Sequence, residues 1–150
     1  MPLLKHAVVR RLTELLNTRI DACNEAIVST RAAFASDTKS SAGDKHEVGR
    51  AMVQQELDKL EAQRAKLLQL RQDLKQLPLD GLPERVGLGS LVVTDQGTYL
   101  IGIAWGAVDV DGEVCYAISL ASPMGQALKG RTAGETVLVQ RRSLVVLEVL

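Results

Sequence analysis

Ser36-Asp37-Thr38-Lys39-Ser40-Ser41-Ala42-Gly43 is the stretch whose reading decides the fold. It is polar, built from small residues and closed by a glycine, so it reads as a turn. The sequence on both sides of it has the grammar of helices. Residues 3–77 contain no proline, two glycines (Gly43 and Gly49) and a single aromatic, Phe34. Ala, Leu, Gln, Arg, Lys and Glu dominate, and these are strong helix formers. Before the break, Val9, Leu12, Leu16, Ile20, Cys23, Ile27 and Phe34 step by threes and fours, with one gap at Thr30 or Arg31. After it, Val53, Leu57, Leu60, Leu67, Leu70, Leu74 and Leu77 do the same. Such spacing draws a narrow apolar stripe along each helix. A single partner helix is enough to bury a stripe of that width, as in a coiled coil. Two arms of similar length joined by a short turn predict an antiparallel, projecting hairpin over residues 1–78. Arms of about 30 residues, at about 1.5 Å per residue, are roughly 45 Å long. The alternatives are two amphipathic helices folded back on the rest of the chain, or pairing between chains.

Pro78 stops the second helix, and residues 79–85, Leu79-Asp80-Gly81-Leu82-Pro83-Glu84-Arg85, read as a linker. From Val86 to Leu150 the pattern changes to strands. Leu91–Thr94 and Tyr99–Trp105 flank the turn Asp95-Gln96-Gly97. Val108–Val110 and Val114–Ser119 flank Asp111-Gly112, a strong hairpin signal. Thr136–Gln140 and Ser143–Val149 flank a third turn. Between the last two hairpins, Pro123–Lys129 reads as a short helix, with Ser122 to cap it, Pro123 at its first position and Gly130 to end it. The expected class is α+β: a helical hairpin, then a small antiparallel sheet with one short helix.

The 150 residues are 46% hydrophobic and 24% charged, which suits a folded chain in water and not a disordered tail. Formal net charge is zero. Residues 1–80 hold 13 Lys/Arg and 11 Asp/Glu and residues 81–150 hold 5 and 7, so neither part is strongly basic. Broad attraction to nucleic acid or to an anionic membrane is not expected. Cys23 and Cys115 lie far apart in dissimilar segments, without zinc-type spacing, and read as two buried or half-buried thiols. The first residues turn to charge too soon for a signal peptide, and no apolar run approaches a membrane span. The expected compartment is a reducing cytoplasm.

One motif lies just past the turn: Gly43-Asp44-Lys45-His46-Glu47. Asp44 and Glu47 are three apart at a helix start, so both carboxylates face one side of its first turn. The same spacing is a variant of the capping box, and both charges suit the positive end of the helix dipole. These readings are compatible, because carboxylates held at a helix start are also a ready ligand pair for a hard cation such as Mg²⁺. Two carboxylates alone would hold that ion weakly, so a partner would have to complete the site. His46 stands between them and reads as a solvated side chain that could join such a site.

A second ordered motif is Ser122-Pro123, Ala127-Leu128, Gly130-Arg131 and Gly134-Glu135-Thr136-Val137, within residues 118–137. It resembles the C-terminal signature of the GreA/GreB transcript-cleavage factors, in which Ser-Pro-Ile, Ala-Leu, Gly-Lys and Gly-Asp-x-Val recur in this order. Gly43-Asp44-Lys45-His46-Glu47 is similar to that family's Gly-Asp-x-x-Glu tip, and the order of elements resembles the family over nearly the whole chain. After the tip glutamate the family commonly continues Asn-Ala-Glu-Tyr, whereas this chain continues Val48-Gly49-Arg50-Ala51.

The resemblance implies an FKBP-like β domain that anchors at the rim of the RNA polymerase secondary channel while the hairpin enters it. It implies that Asp44 and Glu47 help hold a second Mg²⁺ and its attacking water at the polymerase active centre, beside the RNA 3′ end. It further implies partner contacts around Ser122, Pro123, Met124, Gln126, Lys129 and Arg131, no cofactor of the chain's own, and a monomer. On this reading the chain is not itself an enzyme, because the polymerase supplies the catalytic centre. Three other readings stay open: a Gre-like regulator without cleavage, a prolyl isomerase, and a coiled-coil adaptor. The isomerase is poorly supported, since residues 81–150 offer only Tyr99, Trp105 and Tyr116 to line an aromatic pocket. The adaptor would need apolar side chains exposed along the hairpin away from its tip.

Overall fold

The structure is a computed structural model describing residues 4–38, 43–81 and 83–150; side chains are described for these except 37, 38 and 43–46. Two long helices come first, α1 (Lys5–Thr38) and α2 (Gly43–Lys75). The strands β1 (Leu91–Thr94), β2 (Gly97–Gly102), β3 (Gly106–Val110) and β4 (Glu113–Ser119) follow. The chain then forms α3 (Pro123–Leu128), β5 (Thr136–Val139) and β6 (Arg142–Val149). By compactness the chain divides into two units, one of residues 1–14 with 72–150 and the other of residues 15–71. The division by element type, at 78 and 86, runs across this one: the first turns of α1 and the last of α2 belong with the strands.

The turn expected over residues 36–43 is shorter than the sequence suggests. Ser36, Asp37 and Thr38 still belong to α1 and Gly43 already belongs to α2, while residues 39–42 lie outside the described residues. Polar residues in a last helical turn cost little, since their backbone carbonyls face water there.

Within residues 15–71 the stripe reads as expected. Leu16, Ile20, Cys23, Ile27 and Leu57 are buried, with Val53, Leu60 and Leu67 packed against the cluster around Cys23. The bonds between the helices run antiparallel. Arg71 donates to Asn17 at 2.9 Å, Arg64 to Asn24 at 3.1 Å, and Arg31 to Glu61 at 2.8 Å. Further toward the N-terminus the buried residue is Val8, not the expected Val9, because Val8 stands one full turn before Leu12.

The six strands form one sheet in the order β3-β4-β2-β1-β6-β5. It is mixed, which corrects the expectation of a wholly antiparallel sheet: β4 lies parallel to β2, with Leu100 opposite Ala117. The cause lies after β2. That strand ends at Gly102, not at Trp105, and the chain steps past one strand position to begin β3, so β4 returns into the gap. At Gly102 a Cβ would meet a Leu77 methyl group at 2.6 Å, so a larger residue there would require that leucine to shift.

Alternation along the strands gives the sheet two apolar faces. One face carries Val92, Tyr99, Ile101, Leu144 and Val146 in a cluster with Leu128 of α3. The other carries Leu91, Leu100, Val108, Cys115 and Ala117, each no more than 1% exposed. The Asp111-Gly112 hairpin has both residues at positive φ, 52° and 88°, as a type I′ turn requires. The last hairpin makes the same turn without glycine, at Gln140 (48°) and Arg141 (69°).

Candidate functional site

The first candidate is the start of α2. Residues 43–47 are helical, so the backbone places positions 44 and 47 within one turn. Glu47 is exposed. The side chains of Asp44 and His46 lie outside the described residues. Mg²⁺ requires six oxygen ligands in near-octahedral array, of which the exposed Glu47 carboxylate can supply only part.

Immediately beyond Glu47 the chemistry changes. Val48 is 62% and Met52 is 66% exposed, and their i, i+4 spacing puts both on one face of α2. The Arg50 guanidinium sits 5.6 Å from the centre of the Phe34 ring, a cation–π contact that joins α2 to α1. The sequence reading missed both features: it singled out residues 48–51 only as a departure from a pattern. Away from this end, Val28 and Leu68 are the large apolar side chains exposed on residues 15–71 among those described. They are isolated, one on each helix, and do not continue a stripe.

The second candidate is the segment 118–137, where each motif residue has a local physical role. The Ser122 hydroxyl accepts from the Gly125 N–H at 3.0 Å and donates to the Ser119 carbonyl at 2.7 Å, capping α3. Pro123 takes the first helical position, where its missing N–H costs nothing. Gly125 is buried, and a Cβ there would collide with the Ser119 carbonyl oxygen. Gly130, at φ 77°, ends the helix, and its N–H donates to the Val86 carbonyl at 2.8 Å. The Arg131 carbonyl accepts from the Val86 N–H at 2.9 Å, so this pair ties the segment to the chain entering the sheet. The Glu135 carboxylate accepts from the Thr132 N–H at 2.6 Å, and that bond holds it below the ordinary carboxylate range, with Arg131 assisting. The ordered spacing thus encodes a helix cap, a helix stop and a turn.

Of the residues the resemblance assigns to a partner, Pro123, Gln126, Lys129 and Arg131 are exposed. Gln126 donates to the Leu120 carbonyl at 2.8 Å, and Arg131 lies 3.7 Å from Glu135. Ser122 is half-buried, and Met124 packs against the core. Beside the cap, Trp105, Ala117, Ile118 and Ser122 line a shallow, mostly apolar depression. Trp105 was legible as the only tryptophan and as the residue before a glycine, yet nothing in the local pattern marked it as part of a surface.

Cys23 and Cys115 are both free and buried, as expected. Burial pushes the Cys115 thiol up to about 12, so it stays protonated and unreactive at neutral pH. Among the described residues no helix is long and apolar enough to cross a membrane.

No protein-family model matches the sequence, and no curated protein matches it. Solved structures similar to this chain include the following three. The first, described as the transcription factor Gfh1, is 24% identical, with 91% of this chain and 92% of that one covered and a TM-score of 0.39. The GreA factor homolog 1 (Gfh1) of Thermus thermophilus is 22% identical, covering 92% and 94%, with a TM-score of 0.36. Thermus aquaticus Gfh1 is 22% identical, covering 91% and 92%, with a TM-score of 0.33. Likenesses at this level transfer no residue role.

Proposed function

We propose that this chain is a Gre-type transcription factor that acts on RNA polymerase and has no catalytic centre of its own. The helical hairpin enters the polymerase secondary channel, and the start of α2 delivers Asp44 and Glu47 to the active centre. The β part docks through the surface around α3, with Pro123, Gln126, Lys129 and Arg131 outermost and Ser122 and Met124 behind them. The observation that carries this reading is an exposed Glu47 three residues from Asp44, on the first turn of the second helix of a two-helix seam. There the two carboxylates would help hold a second Mg²⁺, and its attacking water, beside the one that polymerase already holds. A second such ion lowers the barrier to phosphodiester hydrolysis by stabilising the attacking oxygen.

A second reading, a Gre-like regulator that occupies the channel without stimulating cleavage, is favoured by Val48 and Met52. They expose apolar surface beside Glu47, and Arg50 and Ala51 stand where the Gre pattern has a further acid and an aromatic. One assay separates the two. Backtracked elongation complexes are mixed with the parent chain and with Asp44→Ala/Glu47→Ala, and release of the short 3′ RNA is timed. Stimulated release by the parent, lost in a variant that still binds polymerase, supports cleavage. Binding without release by the parent supports the regulator. Absence of polymerase binding by the parent overturns both.

A further inference from the structure

Every seventh residue along one edge of α1 reads Arg10, Asn17, Asn24, Arg31. The facing row of α2 reads Arg64, Arg71, also seven apart. Two side-chain bonds join the rows: Arg71 Nη1 donates to Asn17 Oδ1 at 2.9 Å, and Arg64 Nη1 donates to Asn24 Oδ1 at 3.1 Å. Both arginines are half-buried beside the seam. We propose that these two rungs are the register key of the hairpin: they set how far α2 stands along α1. Through that they position the helix start that carries Asp44 and Glu47, and this second step rests on the function proposed above.

An apolar seam does not fix register well. Leucines and isoleucines repeating by threes and fours meet new apolar partners when one helix slides, and a single polar seam position is what usually specifies one alignment. A slide of one turn displaces one helix by about 5 Å, and a slide of one heptad by about 10 Å. The choice of asparagine matters here. A carboxylate attracts a guanidinium over several ångströms, so it tolerates misalignment, whereas a neutral amide oxygen rewards the arginine only at hydrogen-bond distance. A one-turn slide breaks both rungs at once. One direction sets Arg64 against Ile27 and Val28; the other sets it near Asp21 with Arg71 near Glu14, so that slide is opposed by the lost amide rungs and not by charge repulsion.

The outer members of the α1 row guard against the larger slide. Moved one heptad one way, Arg64 reaches Asn17, but Arg71 then faces Arg10. Moved the other way, Arg71 reaches Asn24, but Arg64 then faces Arg31, which in the native register pairs with Glu61 at 2.8 Å. Each alternative loses one rung and opposes two guanidinium groups. The pattern Arg-Asn-Asn-Arg facing Arg-Arg therefore favours one alignment and penalises its neighbours on both sides.

The experiment reads the register directly in the full chain. Spin labels on Ala22→Cys and Gln55→Cys, about 11 residues apart along the hairpin axis, report the distance between the arms so that an axial slide changes it, and the buried native thiols stay unlabelled in the folded protein. The parent gives one narrow distance. Replacing both rungs by leucine (Asn17→Leu, Asn24→Leu, Arg64→Leu, Arg71→Leu) keeps the helical signal but adds populations displaced by about 5 or 10 Å. Exchanging one rung, Asn17→Arg with Arg71→Asn, keeps the single distance. If the fourfold variant loses helix, the pair Asn17→Leu/Arg71→Leu is read in its place, with the same expectation. A single parental distance in the leucine variant that stays folded, or a broadened one in the exchanged variant, overturns the register key. In the RNA-release assay the leucine variant falls by about a hundredfold, the usual cost of ångström-scale misplacement of reacting groups, while the exchanged variant keeps the parental rate. A parent inactive in that assay counts against cleavage alone, and the distance measurement still decides the register.

Discussion

The strands at residues 86–150 and the helical pair at residues 15–71 rest on different amounts of burial. In the former, Leu91, Val92, Leu100, Ile101, Leu144 and Val146 are fully buried on two faces of one sheet, as is Leu128 of α3 packed against it. In the latter, Leu16 and Ile27 are at or near zero exposure, Ile20, Cys23 and Leu57 retain 4–7%, and the flanks are filled by half-buried Arg64 and Arg71. A dense core leaves few alternative packings, because every displaced methyl opens a void or makes a clash. A seam one residue wide leaves many, and here polar side chains at fixed spacing must choose among them. Stability and uniqueness therefore come from one kind of interaction in the sheet and from two kinds in the helical pair.

Large-to-small substitution tests this contrast most strongly. Leu144→Ala should cost about 3 kcal/mol, and Leu57→Ala, at a seam already touched by water, about 2 kcal/mol or less. Urea unfolding separates the two regions, since Trp105 is the only tryptophan and reports on the sheet, while the signal at 222 nm is dominated by α1 and α2. Equal losses, or a Leu57→Ala effect confined to the tryptophan signal, would break the comparison.

A smaller effect sharpens it. Ser122→Ala removes the α3 cap and should cost about 1 kcal/mol, seen in the tryptophan signal, with Ser122→Thr recovering most of it. An unchanged midpoint would mean that the hydroxyl is not needed where the structure places it.

The smallest expected effect depends on pH. Glu135 is held below its ordinary value of 4.5, chiefly by the Thr132 N–H, so its contribution is present above that value and fades as acid protonates the folded form. The stability gap between the parent and Glu135→Gln should be constant from neutral pH down to about 5 and close below the ordinary carboxylate range. A gap that persists in strong acid would assign the difference to packing and not to charge.

Much of the fold was legible where local rules act alone. The heptad stripes, the Ser122 cap with Pro123 behind it, and the Asp111-Gly112 turn are each set by neighbours in sequence, and each stands where the pattern put it except at the first stripe position, where Val8 replaces Val9. The mixed pairing was not legible, because which strand fills the place beside β2 is set by contacts between segments far apart in sequence and not by any local pattern. The Gln140-Arg141 turn was only partly so, since neither residue advertises positive φ. Of the candidate site, the helical spacing of positions 44 and 47 and the exposure of Glu47 agree with the reading, and the Asp44 and His46 side chains lie outside the described residues. The Arg50–Phe34 contact and the Trp105 depression escaped it, because each joins residues whose proximity no single-segment pattern encodes.

The compact unit that holds the sheet is interrupted in sequence: it owns residues 1–14 and then nothing until residue 72. This imposes an order on biosynthesis. Residues 1–14 are made before the rest of their unit, so Val8 and Leu12 must wait while residues 15–71 are made. Helices assemble from local contacts and close quickly, so the excursion can zip shut before the sheet exists. Once zipped, it brings residues 14 and 72 together and removes most of the entropy that closing so long a loop would otherwise cost. The excursion thus acts as a splint that joins the two sequence segments of the other unit.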